Sequence, residues 1–154
     1  MGDVSDIIRI GQVSSVDPET CRARVAFDDL NDMVSADLPI LQDNTVKAKT
    51  YHLPEVGEHV LCVFLPSGMQ TGYIIGSYYT DGNMPKKTGA GIYYAEYEDG
   101  TVIEYDINTS TLTVDAAKDI TIKTAGNINV QAAGAISIHS DTSITMSAPK
   151  IDIN

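Results

Sequence analysis

Residues 111–154 read TLTVDAAK DITIKTAG NINVQAAG AISIHSDT SITMSAPK IDIN, and this stretch decides the fold. An apolar pair recurs every eight residues: Leu112/Val114, Ile120/Ile122, Ile128/Val130, Ile136/Ile138 and Ile144/Met146. A sixth pair, Ile151/Ile153, follows after a step of seven. Each pair flanks one polar residue: Thr113, Thr121, Asn129, Ser137, Thr145 or Asp152. Residues two apart on a strand face the same side, so one face is aliphatic and the other carries Thr, Ser, Asn and Asp. A unit of this kind buries only about two side chains, at roughly 1.5–3 kcal/mol each, against a backbone ordering cost of ~1–2 kcal/mol per residue. A lone unit cannot hold itself together, and neighbours must close its core.

Three geometries compete. An antiparallel meander leaves a bare aliphatic face, an aggregation hazard unless a second sheet covers it. A single-chain triangular β-helix with three units per coil has only about two coils here, little for a solenoid. Three chains winding round one axis place one strand per chain in each layer, turn three aliphatic faces inward and pair every edge. The third arrangement is favoured. It makes the twelve residues of the six pairs the expected trimer core. Aromatic residues fit that choice: all ten lie at or before Tyr105, and a thin prism has little room for them. Abundant Ile, Val and Thr suit strands. With strands ~4.8 Å apart, six units make a prism about 25–30 Å long, and its interwound chains separate only by joint unfolding.

Upstream, almost everything reads as strand. Ile7 to Val16 is a first β segment, closed by Asp17-Pro18-Glu19-Thr20, where Asp17 can bond the turn backbone. Cys21 to Phe27 alternates, with Cys21, Ala23, Val25 and Phe27 on one face and Arg22 and Arg24 on the other. A polar stretch, 28–36, precedes Asp37 to Leu41, which Pro39 marks as an edge or a strand start. Residues 42–52 read as a loop with one helical turn. Leu53 to Glu58 is a turn, His59 to Leu65 an apolar strand, Pro66-Ser67-Gly68-Met69 a further turn, and Thr71 to Ser77 a returning strand. About five strands with little helix imply a small closed barrel over 1–80. Residues 81–110 form a linker and a hairpin neck, with Asp99-Gly100 as a two-residue hairpin signal. Residues 111–154 are the repeat.

Net charge is −11. Residues 1–110 hold 17 acids against 7 Lys and Arg, while the repeat holds 4 acids against 3 Lys. Nucleic-acid binding needs a basic stripe, and this surface repels phosphate. No run of 18 apolar residues exists, and the N-terminus lacks the basic start and apolar run of a signal peptide, so synthesis in a cytoplasm is expected. Cys21 and Cys62 read as buried, reduced thiols and form no metal motif. Glu55, Glu58 and His59 lack metalloprotease spacing, and neither a phosphate loop nor a Gly-x-Ser-x-Gly elbow is present. His139 stands beside inward Ile138 and is expected to point outward, without a metal role. The expectation is a non-enzyme without cofactor.

The order of parts resembles the phage baseplate assembly protein V family, the central spike of contractile tails. The residues that carry the likeness are Gly11 to Asp17 with Arg22-Ala23-Arg24-Val25, then Asp37-Leu38-Pro39, Leu53 to Val63, Gly72 to Ser77, and the neck Tyr97 to Asp106. Type VI secretion spikes are similar in this region but typically carry a larger hub domain. The resemblance implies an all-β chain: an N-terminal oligonucleotide/oligosaccharide-binding (OB) barrel followed by a triple-stranded β-helix of three intertwined chains. It further implies a homotrimer that plugs the tail tube, mounts on a baseplate hub protein and punctures the target cell envelope. Such a spike belongs to a virion or phage-tail-like particle assembled in the bacterial cytoplasm. Some relatives end in an iron-binding His-x-His apex. Pro149 to Asn154 holds none, so a separate tip-capping protein is expected. The alternative is an OB-type nucleic-acid or saccharide binder with an oligomerising tail, for which Tyr73, Tyr78 and Tyr79 offer a stacking platform.

Overall fold

The computed structural model describes residues 7–66 and 71–152. The Pro66 to Met69 turn and Ile153 therefore fall partly or wholly outside the described residues. Among the described residues the regular elements are β strands and one 3-10 turn at Asp28–Leu30. The chain divides into two units, one ending at Ile92 and one beginning at Tyr93.

The first unit is built on β1 (Ile8–Asp17), β2 (Arg22–Phe27), β3 (Met33–Val34), β4 (Leu38–Pro39), β5 (His59–Phe64) and β6 (Gly72–Ser77). β1 pairs antiparallel with both β2 and β5, and β5 pairs with β6. β4 pairs with β2, and the residues after it reach β6. Ile40 N donates to Cys21 O at 3.2 Å, Leu41 N donates to Ile74 O at 3.0 Å, and Ile40 runs parallel to Ile74. The hydrogen-bonded circuit thus closes as β1–β2–β4–β6–β5–β1.

Alternation decides the core. Ala23, Val25 and Phe27 of β2 point inward with Val60, Cys62 and Phe64 of β5, joined by Val13, Leu38 and Ile74. Arg22 and Arg24 stay outside, as the sequence pattern requires. Two bulges reset the phase. Ser14 is the extra residue of β1, its hydroxyl donating to Arg24 O at 3.2 Å, and it turns Val16 back toward the core. Ile75 is the extra residue of β6. A bulge bends its strand and strengthens local twist, which a tightly curled sheet needs.

Phe27 and Phe64 meet edge to face, with centroids 5.8 Å apart at 71°. Glycine makes room for both rings. A Cβ on Gly11 would lie 2.5 Å from Ala26 O and 2.8 Å from Phe27 Cδ1; one on Gly72 would lie 2.6 Å from Phe64 Cδ1. Burial pushes the Cys62 thiol up to about 11. Cys21 departs from the sequence reading: it is only half-buried, has φ 53° and closes the turn before β2. Its place is set by Asp17, whose carboxylate accepts from Glu19 N at 3.0 Å and Thr20 Oγ1 at 2.6 Å.

The polar stretch after β2 is more ordered than its composition suggests. Asn31 and Asp32 both take left-handed backbone, a conformation their short polar side chains tolerate. They return β3 onto β2. Ser35 Oγ accepts from Val25 N at 3.0 Å and so replaces a ladder carbonyl. Residues 42–52 form no helical turn. Instead, Gln42 Nε2 donates to His52 O at 2.8 Å while its Oε1 accepts from His52 N at 3.1 Å, so one side-chain amide mimics a strand pair.

The second unit holds β7 (Ile92–Glu96, whose first residue ends the first unit), β8 (Val102–Asp106) and β9 (Thr111–Asp115), in the antiparallel order β7-β8-β9. The β7–β8 connection is longer than the two-residue loop read from Asp99-Gly100. Gly100 N donates to Tyr97 O and Tyr97 N to Thr101 O, both at 2.9 Å. Only Gly100 has positive φ, whereas a two-residue type I′ turn needs it at both positions. Asp99 instead accepts from Thr101 N at 2.9 Å.

Candidate assembly surface

Leu112 and Val114 stand opposite Tyr105 and Ile103 across the β8–β9 ladder. Cross-strand partners share a face, so these four apolar side chains make one patch, and all are exposed. β7 alternates likewise, with Tyr93 and Ala95 exposed and Tyr94 and Glu96 half-buried. On β8 the half-buried residues are Val102, Glu104 and Asp106. The sheet is thus inside-out for a lone chain: its aliphatic and aromatic face meets solvent while carboxylates occupy the more covered side.

Beyond Asp115 the chain runs extended and bends at 117–118, 125–126, 133–134, 141–142 and 149. The bends keep a strict step of eight, so the shortened last step lies between bend and apolar pair. Local side-chain bonds hold several bends. Thr124 Oγ1 accepts from Gly126 N at 3.0 Å, and Ser140 Oγ accepts from Ser143 N at 3.2 Å. Six extended residues separate successive two-residue bends.

Among the described residues, none of the expected core positions is covered within its own chain. Ile120, Ile122, Ile128, Val130, Ile136, Ile138, Ile144, Met146 and Ile151 are 48–74% exposed. Indeed, no described residue from Tyr93 onward is buried. Soluble monomers rarely present a continuous apolar strip of this extent. Ile103 and Tyr105 join the strip, yet their step to Leu112 and Val114 is nine, outside the octad period. The signal that was available is Ile103-Glu104-Tyr105 itself, an apolar–polar–apolar triplet like those of the repeat. His139 is exposed, and its Nε2 lies 3.1 Å from Asp141 Oδ1. Among the described residues no group of three His, Cys, Asp or Glu is placed to hold a metal ion.

The first unit has surfaces of its own. On the outer side of β1–β5–β6, Ile8 pairs with Val63 and Ile10 with Leu61, while Tyr73 lies beyond Val63. Ile8, Ile10, Tyr73 and Ile75 are exposed. A concavity of about 230 Å³ is lined by His52, Glu58, His59, Ser77, Tyr78, Tyr79, Thr80 and Asn83. There Ser77 Oγ donates to Glu58 Oε2 at 2.6 Å, and His59 tilts against Tyr78 with ring centroids 5.8 Å apart. Tyr73 is not among its lining residues. Five residues of extended chain, roughly 16 Å, separate Tyr73 from Tyr78, so the three tyrosines form no common platform.

The chain has a relative among known proteins. It is similar to the spike protein of Escherichia phage P2. The two are 29% identical over 113 residues, which cover 73% of this chain and 52% of the phage protein. The chain spans about half the length of the curated relative it matches. No family model matches it. Alignment over 73% of the chain is more than either unit alone supplies, so the likeness to the P2 spike involves residues of both units.

Proposed function

We propose that three copies of this chain form the central spike of a contractile phage tail or phage-tail-like particle. The observation that carries this reading is the apolar strip from Leu112 to Ile151, left bare by its own chain, in a protein similar to a phage spike. Three such strips facing one axis cover one another in a triple-stranded β-helix. Each enclosed side chain contributes roughly 1.5–3 kcal/mol. Dissociation then requires the whole strip to open at once, and that resistance suits a stiff needle loaded along its axis.

The closed circuit of the first unit, with antiparallel neighbours throughout and a parallel contact between Ile40 and Ile74, supports reading it as an OB barrel. Its outer apolar face around Ile8, Ile10 and Tyr73 suits mounting on a baseplate hub protein, which places the barrel at the tube end as a plug. The needle then meets the target cell envelope, and sheath contraction supplies the force. The spike carries no reaction of its own. On this reading the protein belongs to the virion or particle, at the baseplate, after assembly in the bacterial cytoplasm.

Light scattering coupled to size exclusion decides the matter. A mass of three chains that persists in SDS without boiling is the expected result. A single-chain mass at micromolar concentration overturns it.

A further inference from the structure

We infer that Asp81 is a site of spontaneous covalent modification: its carboxyl group closes on Gly82 N to a succinimide, which water reopens to isoaspartate. The chain has two Asp-Gly steps, Asp81-Gly82 and Asp99-Gly100. The turn around the second protects it, and the turn around the first does not. The inference is independent of how many chains assemble.

The chemistry is the same at both steps. The glycine nitrogen attacks Cγ of the protonated aspartate carboxyl and forms a C–N bond. One water leaves, made from the carboxyl hydroxyl and the amide proton. Water then adds to the cyclic imide and breaks one of its two C–N bonds. Addition at Cγ restores aspartate. Addition at the main-chain carbonyl leaves the glycine joined through Cβ and Cγ, an isoaspartate whose main chain is one methylene longer. Glycine favours the attack because no Cβ crowds its nitrogen. Space does not separate the two steps: Asp81, Gly82, Asp99 and Gly100 are all exposed, and a Cβ on either glycine would meet nothing within 4 Å.

Hydrogen bonding does separate them. Gly100 N, the nucleophile, donates to Tyr97 O at 2.9 Å. The Asp99 carboxylate accepts from Thr101 N at 2.9 Å, which favours its charged, unreactive form. Tyr97 N donates to Thr101 O at 2.9 Å, and the paired strands β7 and β8 hold the turn from both ends. Reaction there requires the hairpin to open locally. Asp81 and Gly82 are instead the central residues of a turn closed by one bond, from Asn83 N to Thr80 O at 2.9 Å. That bond uses neither reacting group, and the nitrogen at the third turn position has no acceptor within the turn. β6 ends at Ser77 and β7 begins at Ile92, so no strand ladder clamps this turn.

Ageing of the full chain in warm neutral buffer tests this. Trypsin then separates the two steps into peptides 50–86 and 88–118. Isoaspartate in each is read by methyl transfer from S-adenosylmethionine with a protein isoaspartyl methyltransferase. In the folded protein, peptide 50–86 should gain the label several-fold faster than peptide 88–118. In concentrated guanidinium, once circular dichroism shows the strands lost, the two rates should converge. Asp81→Glu, whose longer side chain closes the ring poorly, should remove the label from peptide 50–86. Equal rates in the folded protein, or a faster peptide 88–118, overturn the inference. So does a ratio that persists after unfolding, because the turns would then not be its cause. Label that remains in peptide 50–86 of Asp81→Glu assigns the modification to another residue and overturns it as well.

Discussion

The barrel and the repeat are made of the same secondary structure and solve the burial problem in opposite ways. In the barrel, nine apolar side chains from β1, β2, β4, β5 and β6 lie almost fully inside one chain. In the repeat, eleven of comparable size lie outside it. The difference is one of curvature and connection length. Loops and bulges let barrel strands double back, and glycines at 11 and 72 let two phenylalanines fill the space enclosed. The repeat advances by six extended residues and a two-residue bend, and its successive segments do not fold back to cover one another. What one chain cannot close, several chains can.

The contrast can be broken most forcefully at the middle of the repeat. Ile128→Asp would put three carboxylates beside one axis, where desolvation and mutual repulsion oppose ionisation and assembly together. Loss of the three-chain mass is expected, while the barrel's denaturation midpoint stays put; a full-sized, SDS-resistant trimer would mean that Ile128 does not face the axis. The converse substitution is Phe27→Ala. It leaves a cavity against Phe64 and should cost the barrel about 3–5 kcal/mol in urea unfolding, with SDS resistance of the assembly unchanged. Coupled loss of both properties would show that the units do not fold independently.

Smaller effects sharpen the picture. Gly11→Ala forces a methyl against Ala26 O and the Phe27 ring, and about 1–3 kcal/mol of barrel stability should be lost. Gly134→Ala, with open space around its Cα, should leave both units within about 0.5 kcal/mol of the parent. The gentlest probe is acid. Asp37 is held below its usual 3.8, chiefly by the hydrogen bond from the Arg24 guanidinium at 2.8 Å. Asp17 is lowered by the Thr20 hydroxyl and Asp99 by Thr101 N. A carboxyl depressed on folding contributes stability above its unfolded value and loses it as pH falls through its folded value. Melting temperature should therefore drop below about pH 4, and less steeply in Asp37→Asn. The pair is solvent-exposed, so the difference should be small and shrink with added salt.

Much of this was legible in the residues because it is periodic. The octads, the alternation of β2 and the Asp17 turn all depend on neighbours a few positions apart. Cys21 misled for that reason: it continues the alternating pattern of Ala23 and Val25, but the hydrogen bonds of Asp17 place it in the turn. Ser14 and Ile75 were not legible as bulges, since an extra residue shows only against the partner strand. Ile103 and Tyr105 escaped notice because their step to Leu112 breaks the period, and only the β8–β9 register puts them on one face.

The residues alone determined that this chain is built of strands and that its final third carries an apolar face no isolated repeat unit can bury. Spacing and side-chain chemistry suffice for that, because strand alternation and the burial available per unit are local properties. Tertiary structure decided how the barrel closes, through Ile40 and Leu41 against Ile74, and why glycine stands opposite each phenylalanine. It also carried the uncovered face up into β8. Those features depend on which strands meet and in what register, and contacts between distant segments leave no period in the sequence.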